Sequence, residues 1–302
     1  MTLEYKITEF DQNMSVKSIL RNRLHISNRL LTKLKLNKKI YIDNNIAFVN
    51  EIPPIDSTIY VHIDFEETND EIEAEKSDID ILYEDEYFLA VNKPANMVVH
   101  PCSYHLNHTL SNYVKYYLNT NTVIRPVNRL DKDTSGIVLF AKNEYVQELF
   151  KNMSSKPLKQ YIAIVYGILK EKEGTISLPI ARKAESIIER EVNFDKGQEA
   201  ITHYRVKEEG RLFGTNVSVI EVFLETGRTH QIRVHFSHIG HPLLGDTLYG
   251  ENIVGEAGSE RQALHAHKLA FKHPITQSNI EIIAPIPKDI LEIQKNMDLN
   301  LT

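Results

Sequence analysis

The sequence predicts an α+β fold: a small N-terminal domain of two helices and a hairpin, then a larger domain on a mixed, mainly antiparallel β-sheet. Two observations carry this. Strand-like segments come in neighbouring pairs, such as residues 200–206 and 217–224, rather than alternating singly with helices, and that pattern belongs to antiparallel pairing, not to βαβ units. Helical periodicity is confined to a few short stretches between the strands. The 302 residues are 42% hydrophobic and 25% charged, an ordinary globular balance that can bury a sizeable core.

Taken in order, Val16, Ile19, Leu20 and Leu24 recur at helical spacing, with Lys17, Arg21 and Arg23 on other faces. Ser27 is placed to N-cap a second helix with Leu30, Leu31 and Leu34 inward and Arg29, Lys33 and Lys35 outward. Residues 39–42 and 58–63 alternate as strands, with a turn at 43–45. Residues 65–80 combine dense charge with no periodicity, which reads as a linker. The expected division is therefore 1–63, an acidic linker at 64–80, and a large domain at 81–302.

In the large domain, residues 81–83 and 88–92 form two strands, and Thr109 caps a helix through Tyr117. The apolar run at 137–141 is a buried strand, followed by a helix at 144–153 and a strand at 159–167. Residues 176–198 read as a strand-and-turn excursion. Thr229 is placed to cap a helix with Ile232, Phe236 and Ile239 on one face, ended by Gly240 and Pro242. A late strand follows at 264–271.

A single cysteine excludes an internal disulfide framework and fits a reducing compartment. Residues 1–10 contain no apolar core of signal-peptide length, and no apolar run approaches a membrane span. A soluble, cytoplasmic, monomeric protein is expected. The net charge of −6 hides an asymmetry: residues 64–86 hold 12 carboxylates against one lysine, and without them the balance is +5. Residues 17–39 hold eight basic side chains and no acidic one. A basic surface, not the whole-chain sum, governs attraction to phosphate.

Reactive potential concentrates at residues 125–136, where Asp131, Asp133, Arg129 and Lys132 lie in a polar loop leading into the buried strand. Asp131, Asp133 and Ser135 with Gly136 have the spacing that opens an EF-hand calcium loop, but position twelve is Lys142 instead of a bidentate Glu. His235, His238 and His241 lie three apart, yet Gly240 breaks the helix between them and no Cys or carboxylate set accompanies them. No metal site is expected. Cys102 is expected to be a packing residue.

The stretch NRLDKDTSG at 128–136 resembles the HRLDxxTSG signature of the RluA-type RNA pseudouridine synthases. Three further segments resemble the same family in the same order. They are Lys93-Pro94 with Val99-His100-Pro101, the Lys159, Tyr161, Ala163, Val165, Gly167 pattern, and ETGRTHQIRVH at 225–235 followed by Gly240-His241-Pro242 and Gly245-Asp246. Together they span residues 81–287. The N-terminal pattern of two basic helices and a hairpin is similar to an S4-type RNA-binding module.

The resemblance implies an enzyme that detaches uracil from its ribose, turns it and rejoins it through carbon, with RNA as partner and no cofactor. Ribosomal and transfer RNA are both open as substrates. It implies Asp131 as the nucleophile, Arg233 as the cation holding that carboxylate ionised, and Tyr161 as the ring against uracil. Attack on the ribose and attack on the base are both open. Arg129 is expected to contact the nucleotide flipped out of its stack, and Arg21, Arg29, Lys33 and Lys35 to contact RNA from the N-terminal module. Two positions depart from the pattern: Asn128 replaces the usual His, and Asn96 a usual Gly. The alternative function is a non-catalytic RNA-binding or RNA-chaperone protein, with metal-dependent hydrolysis a distant third.

Overall fold

The first 64 residues fold around a core of their own. Ser15 and Ser27 each accept a hydrogen bond from a backbone amide three residues on and so start α1 (Val16–Asn22) and α2 (Asn28–Leu36). Their inward residues Val16, Ile19, Leu20, Leu30 and Leu34 are buried against a sheet. That sheet has four strands, not the two-stranded hairpin expected. β1 (Thr2–Lys6) pairs with β4 (Thr58–His62), which also pairs with β2 (Ile40–Ile42), and β3 (Asn45–Ile46) completes the edge. β1 alternates exposure along its length, but its polar Thr, Glu and Lys conceal the pattern in the sequence. This computed structural model describes residues 1–64, 72–102, 105–119, 123–250 and 259–299.

Of the expected linker, residues 65–71 lie outside the described residues. The rest is not a free tether. Ile72 is 2% exposed and packs among Leu89, Val91, Leu110 and Val114. Its carbonyl accepts from Lys115 Nζ, the Glu73 carbonyl from Asn112 Nδ2, and Glu75 Oε1 from the His108 amide. One apolar residue among carboxylates is enough to dock the segment, a signal that bulk composition hides.

The larger sheet starts with β5 (Asp80–Glu84) and β6 (Phe88–Lys93). It continues through β7 (Arg125–Pro126), β8 (Ser135–Ala141), β9 (Leu158–Tyr166), β10 (Glu173–Ser177), β13 (Ile201–Leu212) and β14 (Thr215–Leu224), and ends with β15 (Leu264–Lys272) and β16 (Asn279–Ile283). The excursion between β10 and β13 forms a separate hairpin, β11 (Ile180–Arg182) and β12 (Arg190–Val192). The main path runs β10-β13-β14-β9-β15-β8-β6-β5. Every junction is antiparallel except β15 against β8, so the sheet is mixed and mainly antiparallel, as expected.

Helices cover both faces. On β8, Val138 and Phe140 face α3 (Leu110–Leu118), while Ile137, Leu139 and Ala141 face α4 (Glu144–Lys151). On β9, Tyr161, Ala163 and Val165 face α5 (Gln231–His238), while Ile162, Ile164 and Tyr166 face α6 (Lys288–Lys295).

α4 also carries the N-terminal module. Tyr145 inserts into the module's core and donates to the Leu24 carbonyl at 2.9 Å. Glu144, buried at 7% exposure, takes Lys33 Nζ on one oxygen at 2.5 Å and lies 3.3 Å from Arg29 Nε with the other.

Candidate active site

The polar loop before β8 is delivered by a sheet junction that only glycine permits. Ala266 of β15 pairs with Gly136 of β8 on one side and Tyr161 of β9 on the other. Gly136 has φ +112°, and a Cβ there would lie 2.2 Å from the Ala266 carbonyl oxygen. The close parallel contact therefore places the Asp131 loop beside Tyr161.

Three side chains pin this loop. Lys93, fully buried, donates its ammonium to the carbonyls of Pro94, Met97 and Lys132 at 2.7–2.9 Å. Burial pushes its pKa down to about 7, while three carbonyls match the three protons of the charged form. Asn128 extends β8 by side-chain mimicry: Nδ2 donates to the Ile137 carbonyl and Oδ1 accepts from the Leu139 amide. Arg261 donates to the carbonyls of Asp133, Gln262 and Leu264 and to Ser135 Oγ, and pairs with Asp289 at 2.7 Å. Ser135 in turn bonds His265 Nδ1 at 2.9 Å. Burial lowers His265 to about 4, so it is neutral.

α5 supplies the cation. Its N-cap is His230 in the left-handed region (φ 57°), not the expected Thr229. No side chain caps the helix; Gln231 instead fastens the turn before it, its Oε1 accepting from the Arg228 amide and the Thr226 hydroxyl while its Nε2 donates to the Ile201 carbonyl. Ile232 and Phe236 are buried as expected, whereas Ile239 is 37% exposed at the helix end.

Arg233, two positions past the helix start, is 7% exposed. Its Nε and Nη2 hold both oxygens of Asp246 at 2.7 and 2.8 Å, and Nη1 reaches Asp131 Oδ2 at 3.2 Å. Burial opposes the guanidinium charge, but Asp246 and Asp131 override it and hold the pKa above its usual value. Asp246 is aimed by the amides of Leu248 and Tyr249, and the Arg233 guanidinium lies 5.0 Å from the Tyr249 ring centroid.

Asp131, Tyr161 and Arg233 thus converge. Tyr161 is buried, and desolvation together with the nearby Asp131 charge keeps its hydroxyl protonated well above the usual range. Arg129, two residues before Asp131 in the chain, is exposed, and Arg21 and Lys35 are exposed on the module. Arg29 and Lys33 turn toward Glu144. His235 bonds Thr202 and the Leu178 carbonyl, and His241 bonds the Tyr166 carbonyl, so these two histidines have separate structural partners. Cys102 is exposed, not packed. Sequence reasoning matched Asp246, Lys93 and His230 only as motif letters and assigned them no role. A buried guanidinium has more N–H donors than one carboxylate can accept, and that surplus was the available clue to Asp246.

The family model for RNA pseudouridylate synthase matches residues 87–238, which contain the loop, Tyr161 and Arg233. The chain belongs to this family. An RNA pseudouridine synthase of Bacillus subtilis, YjbO, is 38% identical over 93% of this chain and 99% of its own length. The ribosomal large subunit pseudouridine synthase D of Xylella fastidiosa is 38% identical over 71% of this chain and 68% of its own. Among solved structures, human RNA pseudouridylate synthase domain containing 1 has a TM-score of 0.58 and 29% identity, covering 70% of this chain and 85% of that one. This pseudouridine synthase is an RNA-modifying isomerase of uridine, as the RluA-type signature implied, and its RluA-type relatives do not favour the reading as a mere RNA binder. Among the described residues no helix is long and apolar enough to cross a membrane.

Proposed function

We propose that the enzyme acts on large-subunit ribosomal RNA, with Asp131 as the nucleophile, Arg233 as the cation that pairs with it, and Tyr161 as the wall against which uracil turns. The observation that carries this is the 3.2 Å contact from Arg233 Nη1 to Asp131 Oδ2, close to buried Tyr161. An ionised carboxylate half-shielded from water needs such a cation, and a guanidinium already fixed on Asp246 holds it without reorganising. The Tyr161 ring offers a flat apolar surface to a detached base, and its protonated hydroxyl offers a donor. The substrate assignment rests on the printed names of relatives such as the Xylella enzyme.

To reach Asp131 the uridine must leave its stack, at a cost of a few kcal/mol. Exposed Arg129, two residues before the nucleophile, contacts the flipped nucleotide's backbone. Residues 1–63 act as an S4-like RNA-binding module, with exposed Arg21 and Lys35 on phosphates and Arg29 and Lys33 tied to Glu144 as well. The protein works as a monomer, since one chain supplies every group named, and in the cytoplasm, which suits a single cysteine.

The test is pseudouridine mapping of total RNA from cells with the intact gene, a deletion, and an Asp131→Asn replacement. One uridine in large-subunit ribosomal RNA should be modified only with the intact gene, while the Asn protein accumulates folded. A site retained in the Asp131→Asn strain would refute the nucleophile.

A further inference from the structure

His230 sits at the break between β14 and α5 with its ring at the active site, and the signature comparison assigns it nothing. Its Nε2 lies 3.8 Å from Asp131 Oδ2, the same oxygen that takes Arg233 Nη1 at 3.2 Å. Its Nδ1 is 2.8 Å from the Tyr249 hydroxyl. That hydroxyl oxygen already accepts the Arg190 amide at 2.8 Å. The amide can only donate, so the phenol's single proton is free to go to His230 Nδ1. Were Nδ1 protonated instead, it would donate to the phenol and leave the phenolic proton without this acceptor. The hydrogen-bond chain thus favours the tautomer with Nδ1 as acceptor and Nε2 carrying the proton, because only it gives the phenolic proton this acceptor.

We propose that His230 is held as its neutral Nε2–H tautomer to anchor Asp131 Oδ2 jointly with Arg233, leaving Oδ1 as the oxygen that reacts. The inference deepens the reading of Asp131 as nucleophile and rests on it. Arg233 holds Oδ2 by a hydrogen bond, and the Nε2–H dipole, 3.8 Å away and too far for a second one, favours the same oxygen, so that the other faces the substrate. Near-attack geometry of this kind is lost when a carboxylate is free to turn. The left-handed backbone at His230 (φ 57°) is the local strain that aims the ring.

The groups facing the imidazole are Asp131, Arg233, Arg190, Asp246 and Tyr249. Burial, opposed by the Asp131 charge, lowers the imidazole's pKa and agrees with a neutral ring. Tyr249 itself is raised to about 12, chiefly by burial, so its proton stays in place as a donor. His230 acts through Asp131 and is a positioning residue.

The tautomer is read directly by nitrogen-15 NMR of full-length protein labelled in its histidines, with His230→Gln identifying the signal. Wild type should show Nδ1 unprotonated and Nε2 protonated at neutral pH, and Tyr249→Phe should shift population toward Nδ1–H. A wild-type Nδ1–H tautomer overturns the proposal whether or not the enzyme is active.

Kinetics on transcribed large-subunit ribosomal RNA supply the second arm. His230→Ala should lower kcat roughly 10- to 100-fold with KM unchanged, and His230→Gln, which restores an N–H donor, should recover most of it. Tyr249→Phe keeps the ring over Arg233 and should lower kcat in the same direction, adding nothing to His230→Ala in the double variant. Wild-type kcat in His230→Ala, or additive losses in the double, would sink the proposal. An inactive wild type would instead count against the substrate or nucleophile reading, and the NMR result would still decide the tautomer.

Discussion

Arg233 and Asp246 form a two-bonded ion pair, 2.7 and 2.8 Å, in which the Asp246 side chain is wholly shielded from solvent. The pair consumes one edge of the guanidinium and leaves Nη1 aimed at Asp131. A lysine can replace the charge but not this division of labour, because its ammonium has no fork. Arg233→Lys is expected to lose at least about 100-fold in kcat while still binding RNA, as measured by single-turnover kinetics beside a binding titration. Asp246→Asn leaves a buried guanidinium short of one charge, and should lower unfolding free energy by about 3 kcal/mol or more in urea. An Asp246→Asn protein as stable and active as wild type would show that Asp131 alone holds Arg233.

Tyr161 separates ring from hydroxyl in one substitution. Burial, with the Asp131 charge behind it, raises the phenol's pKa, so the hydroxyl is protonated throughout the range in which the protein is folded. Tyr161→Phe should therefore reduce kcat without moving the alkaline limb of the pH profile. Tyr161→Ala, which removes the stacking surface, should cost more. An alkaline limb present in wild type and missing from Tyr161→Phe would mean that the phenol titrates within the working range.

Most of this arrangement was legible in the sequence, for identifiable reasons. The caps at Ser27 and Thr109 and the apolar periodicity of α2 are local signals, and the structure contains them as read. The convergence of Asp131, Tyr161 and Arg233 was legible only through motif resemblance, because it depends on Ala266 bridging Gly136 and Tyr161 across separate strands. Three features escaped. β1 pairs across 60 residues with polar side chains on its outer face. Ile72 docks a segment whose composition looks like a tether. The helix start at His230 has no side-chain cap, and is held instead by Gln231 donating to the Ile201 carbonyl and Thr202 hydroxyl of β13. In each case a non-local partner, invisible to periodicity, decides the outcome.

Glu144 divides the basic side chains of the N-terminal module into two groups. Arg21, Arg29 and Lys35 are exposed and Lys33 is partly buried, but Arg29 and Lys33 share the Glu144 carboxylate. If all four meet phosphate, each alanine substitution should flatten the dependence of log affinity on log salt by roughly 0.7–0.9. The expected result is that full change for Arg21→Ala and Lys35→Ala, and a smaller one for Arg29→Ala and Lys33→Ala. Glu144→Gln should steepen the slope by withdrawing the competing carboxylate. Binding of transcribed ribosomal RNA across a salt series measures it, and identical slopes in all five variants would remove the module from RNA contact.

His265 should impose an acid limit on stability. Its Nδ1 takes the Ser135 proton, its Nε2 faces the Ala284 carbonyl at 3.5 Å, and Arg261 donates to the same serine. Burial depresses its pKa from 6.5 to about 4 in the folded protein. Above pH 6.5 both states are neutral and the contribution is complete. Between 6.5 and about 4 the unfolded chain binds a proton that the folded protein refuses, so stability falls as pH falls, by about 3 kcal/mol over the whole window. His235 and His230 are shifted the same way, so the wild-type curve alone does not isolate His265. The difference between wild type and His265→Gln does. Urea unfolding of both proteins at pH 7 and pH 5 should show the wild-type advantage shrinking by about 2 kcal/mol. Parallel losses in the two proteins would mean that His265 takes up its proton alike in the folded and unfolded chain, and that its burial sets no acid limit.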